Sequence, residues 1–455
     1  MILAFLLACP GRGEVHLTTE RHYQEPYRAE GADVIVVVLD TLRADHLSQY
    51  GYALNTSPGL AEFASVATRY TRAFAPSPWT VPSTGTILTG QHPLRHGLRH
   101  PGDVLPDEID TLPEMVRRAG WQTAAYSYNV SVSPRHALDQ GFDSFTRNTG
   151  RVLAYPHARR MTKAASAWLA EHADKPSFLY VQPMNCHGPY KVPDPRRATL
   201  LQRQPSTRFK YYGGLMKSIV RDGEVEARAR VGGEYLQSLQ EQYDTAIRYT
   251  TDEIGVLFDE LRSRGRFDSA MIVLTADHGE ELFEHGGFSH GYSLHAEVLH
   301  VPLFVKFPGQ GAPQVVTQPV SLLDVTPTVL TALGLPVPPL DGEALVPAAA
   351  PTSNRALLFD INWPRRIVGR GLLHDGYKLL SIEHDYAGRK HALQLYDTDL
   401  DPGESRDLAT AMPELVSAMS GSLDAMATAL TGSVVPQNVL SEMDRRQLEA
   451  LGYME

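Results

Sequence analysis

The sequence predicts an α/β protein: a doubly wound, mostly parallel sheet sandwiched by helices, with a small C-terminal α+β subdomain. Three observations carry that expectation. Short β-branched and apolar runs recur without polar alternation, the mark of strands buried on both faces. Segments with helical apolar spacing lie between them, and strand–helix alternation is the pattern of a parallel sheet. Near 336–353 the pattern breaks, with Pro336, Pro338, Pro339, Pro347 and Pro351 among Ala and Gly.

The chain opens MILAFLLAC. This stretch is far below the roughly 20 apolar residues of a membrane-spanning helix and lacks a basic n-region. Leu6-Leu7-Ala8-Cys9 resembles a bacterial lipobox, whose cysteine is lipidated after cleavage. That makes Cys9 a candidate lipid anchor, the bacterial cell envelope (periplasmic or lipid-anchored) the expected location, and a longer upstream signal an expectation. The alternative is a disordered apolar N-terminus. Residues 10–31 read as a tether, so 1–31 form the leader.

Strands are expected at Val34–Leu39, Thr123–Tyr126, Ser177–Val181, Met271–Thr275 and Leu303–Phe307. Helices are expected over Leu60–Ala67, Thr111–Gly120, Met161–His172 and Tyr243–Arg264. Residues 191–240 carry Pro, many charges and little periodicity, and read as an insertion over the active-site face, a candidate lid. The main domain is placed at 32–345 and the C-terminal subdomain and tail at 346–455. In the latter, Gly371–Ile382 and Ala392–Asp397 look like strands and Glu414–Leu430 like a helix.

Composition narrows the function. With 43% apolar and 21% charged residues among 455, collagen, coiled coil and wholesale disorder are excluded. Forty-two basic against 52 acidic residues give a net charge of −10, which argues against a nucleic-acid partner or an anionic membrane surface. Two cysteines, Cys9 and Cys186, build neither a disulfide framework nor a zinc ribbon. Eighteen histidines exceed what a purely structural chain needs.

Three chemical groups follow expected strands directly: Asp40, the pair Asp277-His278, and His187 in Asn185-Cys186-His187-Gly188-Pro189-Tyr190. In open parallel sheets, ligands bind outside the carboxyl ends of the strands. Asp and His there suit Zn²⁺, Mn²⁺ or Ca²⁺. A single Asp at such a place also serves as a helix cap or turn residue. The segment Ser77-Pro78-Trp79-Thr80-Val81-Pro82-Ser83 supplies a nucleophile candidate. Pro82 suits the first position of a helix, which places Thr80 just before it, where amides and dipole favour an anion. A metal-bound hydroxyl there would ionise more easily, as metal-bound water drops from a pKa of 15.7 toward ~7. The alternative is a plain N-cap.

Read together and in order, the motifs resemble a sulfatase of the alkaline-phosphatase superfamily. They are Val38-Leu39-Asp40-Thr41-Leu42-Arg43-Ala44-Asp45-His46-Leu47, Pro82-Ser83 through Leu88-Thr89-Gly90, Pro93-Leu94-Arg95-His96-Gly97, and Leu274-Thr275-Ala276-Asp277-His278-Gly279-Glu280. Further matches are His290-Gly291-Tyr292-Ser293-Leu294, Val301-Pro302-Leu303, Leu323-Asp324-Val325-Thr326-Pro327-Thr328, Leu395-Tyr396-Asp397, Asp401-Pro402-Gly403-Glu404 and Leu451-Gly452-Tyr453. The resemblance implies one divalent metal held by Asp40, Asp277 and His278, with Thr80 as nucleophile and further ligand. It makes His187 a leaving-group acid or anion contact, and His290 a contact to the sulfuryl or phosphoryl oxygens. Arg43, Arg95 and Asp45 read as structural, His92 and His96 as supports of the nucleophile helix, and His285 and His295 as outlying residues.

Two departures matter. Sulfatases of the usual kind need a formylglycine made from Cys or Ser in Cys/Ser-x-Pro-x-Arg; here the matching residues are Thr80-Val81-Pro82-Ser83-Thr84, so no formylglycine is expected. The usual paired aspartates appear as Asp40-Thr41. Both departures resemble the superfamily branches with an unmodified threonine, phosphodiesterases and transferases acting on lipid or polymer phosphates. The expectation is a metal-dependent hydrolase of sulfate or phosphate esters on a small molecule, glycan or lipid, working through a covalent threonine ester. The threonine favours a phosphoryl substrate. The alternatives are a phosphoglycol or phosphoethanolamine transferase and a non-catalytic anion-binding homologue.

Overall fold

The computed structural model describes residues 29–147, 158–190, 192, 233–345, 355–363, 367–384, 392–432 and 437. Residues 1–28 with Cys9, the bulk of the 191–240 segment and the Leu451–Tyr453 motif lie outside the described residues.

The strands are β1 (Val34–Val38), β2 (Thr68–Phe74), β3 (Gln122–Ser127), β4 (Ser144–Arg147), β5 (Ser177–Gln182), β6 (Met271–Thr275), β7 (Glu281–Leu282), β8 (Phe288–Ser289), β9 (His300–Lys306), β10 (Gln314–Val316) and β11 (Val320–Ser321). Nine of them form one sheet in the order β10-β2-β9-β6-β1-β5-β3-β4, with β11 also on β2. β7 and β8 pair separately. Helices cover this sheet, and the long one, Gly233–Ser263, crosses it for about 46 Å. It absorbs residues 233–240, which the sequence had placed in the insertion.

β1 lies at the centre, between β5 and β6 and parallel to both. Its Val-Ile-Val-Val-Val side chains are completely buried, each contributing roughly 1.5–3 kcal/mol relative to exposure. The register sets the site. Val38 pairs with Thr275 and Val37 with Val181. Asp40 and Asp277 therefore each stand two residues past paired positions, and Gln182 closes β5 beside them.

One expected element needs correcting, and one strand's direction is added. The helix over Leu60–Ala67 is only a 3-10 turn at Pro58–Leu60 followed by the single turn Ala61–Ala64, and Thr68 opens β2. The segment Leu303–Phe307 belongs to β9, which runs antiparallel to both β6 and β2. No helix among the described residues is long and apolar enough to cross a membrane.

The C-terminal subdomain is the antiparallel sheet β12 (Leu357–Trp363), β13 (Ile367–His374), β14 (Tyr377–His384) and β15 (Gln394–Asp397), with the helix Pro413–Leu430. The β13–β14 hairpin turns on Asp375-Gly376, both with positive φ, the conformation a tight two-residue loop demands. Strand alternation splits the faces. Leu358, Leu372, Leu379 and Leu395 pack on Met419, Leu423 and Ala427 of the helix. Phe359, Ile361 and Leu373 face Phe74, Leu294, Val298 and Leu299 of the main domain.

Candidate active site and metal centre

The carboxyl ends of β1, β5 and β6 bring Asp40, Asp277 and His278 together. Their ligand atoms all lie within 4.8 Å of one another, and all three residues are buried. Asp277 accepts N–H bonds from Thr41 (3.2 Å) and His278 (3.0 Å) on Oδ1. Gln182 donates to Asp277 Oδ2 (3.3 Å) and to Asp40 Oδ2 (3.4 Å). His278 directs Nδ1 to the Gly279 carbonyl (2.9 Å), which fixes its tautomer and turns the Nε2 lone pair inward.

This set fits a divalent cation. Asp40 Oδ1 is buried and has no hydrogen-bond partner, a costly condition for a carboxylate oxygen unless a cation faces it. Burial, then the charge of Asp277, pushes the Asp40 carboxyl well above its ordinary range. A divalent ion held by Asp40, Asp277 and His278 would offset that penalty. The turn that follows is strained. Thr41 sits at φ 57°, rare for a β-branched residue. Its Oγ1 donates to the Cys186 carbonyl (2.8 Å), and its own carbonyl accepts from the Tyr243 hydroxyl (2.6 Å).

Thr80 is the first residue of the helix Thr80–Thr89, with Trp79 as N-cap. The expectation that Pro82 opens the helix is corrected: it stands third, still within the turn whose amides lack intrahelical partners. Thr80 is not the N-cap, and no side chain caps this end. Its Oγ1 instead lies 3.2 Å from His278 Nε2 and accepts from Asn129 Nδ2 at 3.2 Å. His290 lies between the other two histidines, its ring tilted against His278 (centroids 4.4 Å apart) and edge-on to His187 (4.9 Å). Glu280 Oε1 lies 3.3 Å from His290 Nδ1, and burial pushes the Glu280 carboxyl up to about 8. His187 bonds the Gly188 carbonyl through Nδ1 (2.7 Å), and burial pushes its imidazole down to about 4. The arrangement offers a hydroxyl nucleophile, a cation site, a helix N-terminus and two imidazoles around one point.

Residues 32–335 match the family model for sulfatases. The chain belongs to the sulfatase family. It is a sulfatase-like ester hydrolase. It is 23% identical to arylsulfatase K of Rattus norvegicus over 444 residues, covering 85% of this chain and 76% of that protein. Its fold is similar to the phosphonate monoester hydrolase of Agrobacterium radiobacter, with a TM-score of 0.71, 20% identity, and coverage of 88% of this chain and 96% of that one. It is equally similar, at TM-score 0.71 and 18% identity, to a structure solved with its substrate D-glucosamine-2-N,6-O-disulfate, covering 88% of this chain and 98% of that one.

The structure brings Asp40, Thr80, His187, Asp277, His278 and His290 of this sulfatase-family chain to one place. The residues read as structural are elsewhere. Arg43 is buried against Asp45 and Glu284, and Arg95 pairs with Asp341. His96 Nε2 meets Thr86 Oγ1 on the nucleophile helix (3.2 Å), and His92 caps the short helix that follows. His285 and His295 stack on each other with centroids 3.6 Å apart, at the subdomain joint. Cys186 is a free buried thiol that donates to Thr250 Oγ1 (3.5 Å). Sequence reasoning missed Asn129 and Gln182. Both stand at or just past the ends of β3 and β5, where Ser127 pairs with Gln182, so the strand-end rule was the signal that could have found them.

Proposed function

We propose that the protein hydrolyses a phosphoryl or sulfuryl ester through Thr80 as covalent nucleophile, with a phosphoryl substrate favoured. The observation that carries this reading is the Thr80 hydroxyl, 3.2 Å from His278 Nε2 at the Asp40–Asp277–His278 cluster and on the first residue of a helix. A divalent ion held by Asp40, Asp277, His278 and Thr80 would supply Lewis-acid charge to the hydroxyl and the reacting oxygens. The imidazole in that set favours Mn²⁺ or Zn²⁺ over Ca²⁺.

The chain's own groups carry the rest. The N-terminal end of the Thr80 helix faces the non-bridging oxygens of the ester, joined by His290, which Glu280 orients. Thr80 Oγ1, its proton lost to bulk water before the ester binds, attacks in line, and the bond from the central atom to the leaving oxygen breaks. His187 delivers a proton from Nε2 to the departing alcohol, since its Nδ1 is committed to the Gly188 carbonyl. An entering anion raises the imidazole pKa and favours its protonation. A threonine ester has no second hydroxyl with which to expel its group, so water or another alcohol must then attack the central atom. That route is common for phosphoryl groups and harder to justify for a sulfo-threonine.

The test is a side-by-side assay of 4-nitrophenyl sulfate, 4-nitrophenyl phosphate, bis(4-nitrophenyl) phosphate and 4-nitrophenyl phenylphosphonate. Phosphoryl or phosphonyl esters are expected to dominate, and a dominant sulfate rate overturns the preference. Thr80→Ala is expected to lose at least about 10³-fold in kcat while keeping its metal, because the Asp and His ligands remain. Undiminished turnover in that variant rejects the nucleophile. Product analysis with an added acceptor alcohol distinguishes hydrolysis from transfer.

A further inference from the structure

Asn129 is fully buried and touches two groups of the site at once. Its Nδ2 donates to Asp40 Oδ2 (2.5 Å) and to Thr80 Oγ1 (3.2 Å), while its Oδ1 accepts the Ser131 N–H (2.7 Å). That last bond fixes which way the amide faces. Turning it round would set its oxygen against a carboxylate oxygen that can only accept, and its NH₂ against the Ser131 N–H. The two Nδ2 hydrogens thus have two assigned acceptors, one of which is the reacting atom.

We propose that Asn129 is a catalytic residue of the second half-reaction, donating to Thr80 Oγ1 as that oxygen leaves the covalent ester. The inference rests on Thr80 being the nucleophile. In the resolving step a water oxygen bonds to the central phosphorus or sulfur. The bond from that atom to Oγ1 breaks, and its electron pair goes to Oγ1. In net, one water proton ends on Oγ1 and the other stays on the released group. A threonine alkoxide is a poor leaving group, and a hydrogen-bond donor already in place on Oγ1 adds to the charge stabilisation that a cation at the adjacent site would supply. A preorganised donor in a buried site supplies this without reorganisation.

The first half-reaction responds differently. There a donor to Oγ1 favours the ionised hydroxyl but also lowers its nucleophilicity, and the two effects offset. With an aryl ester the leaving charge is on the phenolate, away from Asn129. Removing the amide therefore slows resolution more than attack. A residue that merely holds Asp40 in place would slow both alike.

The experiment uses the 4-nitrophenyl ester that the wild type turns over fastest. Burst release of 4-nitrophenolate reports attack, and intact-protein mass spectrometry after a chase reports decay of the Thr80 adduct. For Asn129→Leu, adduct decay is expected to slow roughly 10²-fold, the burst rate to change less than about fivefold, and the adduct to accumulate. Equal slowing of both steps, slowing of the burst alone, or no change in adduct decay overturns the proposal. Should Asn129→Leu not fold, Asn129→Ala carries the same readout. The Thr80→Ala variant separates the two levels: turnover there defeats the nucleophile itself, whereas loss of turnover with unchanged Asn129→Leu kinetics defeats only the role of Asn129.

Discussion

Gln182 carries no charge, yet its amide reaches both metal-side carboxylates, and its own Oε1 accepts from the Tyr180 hydroxyl at 2.9 Å. Residues that orient ligands from behind typically contribute 10–100-fold to metal affinity. Gln182→Leu is thus expected to weaken metal binding roughly 10–100-fold with little change in melting temperature, as read by competition with a chromophoric chelator. An unchanged affinity would remove Gln182 from the centre. At this scale the sequence was legible where side chains titrate. Asp40, Asp277, His278 and His187 advertise themselves at strand ends, but Asn129 and Gln182 obey the same rule with neutral amides. The helix start was misread by two residues, because proline is tolerated throughout a first turn and does not mark its opening position alone.

Elements deliver these residues, and the turn after β6 is tightly held. A Cβ on Gly279 would lie 2.0 Å from the Glu297 carbonyl oxygen and 3.2 Å from Arg43 Cγ. Only a residue without a side chain lets the Asp277-His278-Gly279 turn close on the short helix Ala296–Leu299. Gly279→Ala is expected to cost about 1–3 kcal/mol, seen in the urea midpoint, and to lower metal affinity because two ligands must shift. Native-like affinity and midpoint would contradict that packing. Five of the nine strands of the sheet, β1, β3, β5, β6 and β9, were readable as continuous apolar runs. Their directions were not: β9, buried on both faces, has the same composition whichever way it runs. β2 escaped notice because a register shift between Tyr70 and Ala73 interrupts its alternation, and Arg69, Thr71 and Arg72 dilute its apolar signal.

Across the whole molecule, the joint between domain and subdomain carries a buried polar group beside its apolar cluster. Lys378 on β14 bonds Glu404 (2.7 Å), Glu404 meets His295 (3.1 Å), and His285 pairs with Glu297 beneath the stacked rings. Glu404→Gln leaves Lys378 buried without its counter-charge, which costs about 3–5 kcal/mol and is expected to appear as a lower melting temperature. The joint also sets a pH window. Burial lowers the His285 value, but the hydrogen bond and charge of Glu297 outweigh it and lift it to about 9 from 6.5. A raised histidine stabilises fully below about 6.5 and loses that contribution as pH climbs through about 9. Glu404 is pulled down to about 2 from 4.5, against burial, by the charge of Lys378 and then by His295. Its contribution holds above about 4.5 and fades as pH falls through about 2. Melting temperature is therefore expected to fall from pH 6.5 to 9 in the wild type and to be flatter there in His285→Asn. Parallel curves would exclude His285 as the source.

The segment leading into Thr80 is tied down from both sides: the Asp360 N–H bonds the Pro76 carbonyl (2.9 Å) and the Gly291 N–H bonds the Pro78 carbonyl (3.0 Å). Trp363, at the end of the same β12 strand as Asp360, lies against Trp79 with ring centroids 4.8 Å apart. The family match ends at 335, but the mechanical unit does not. A chain ending at residue 345 would keep every proposed ligand and the nucleophile, yet bare Leu294, Val298 and Leu299 to water and release the segment that aims Thr80. Such a fragment is expected to aggregate rather than turn over substrate slowly. Swapping C-terminal subdomains between relatives would thus tamper with the aim of the nucleophile itself.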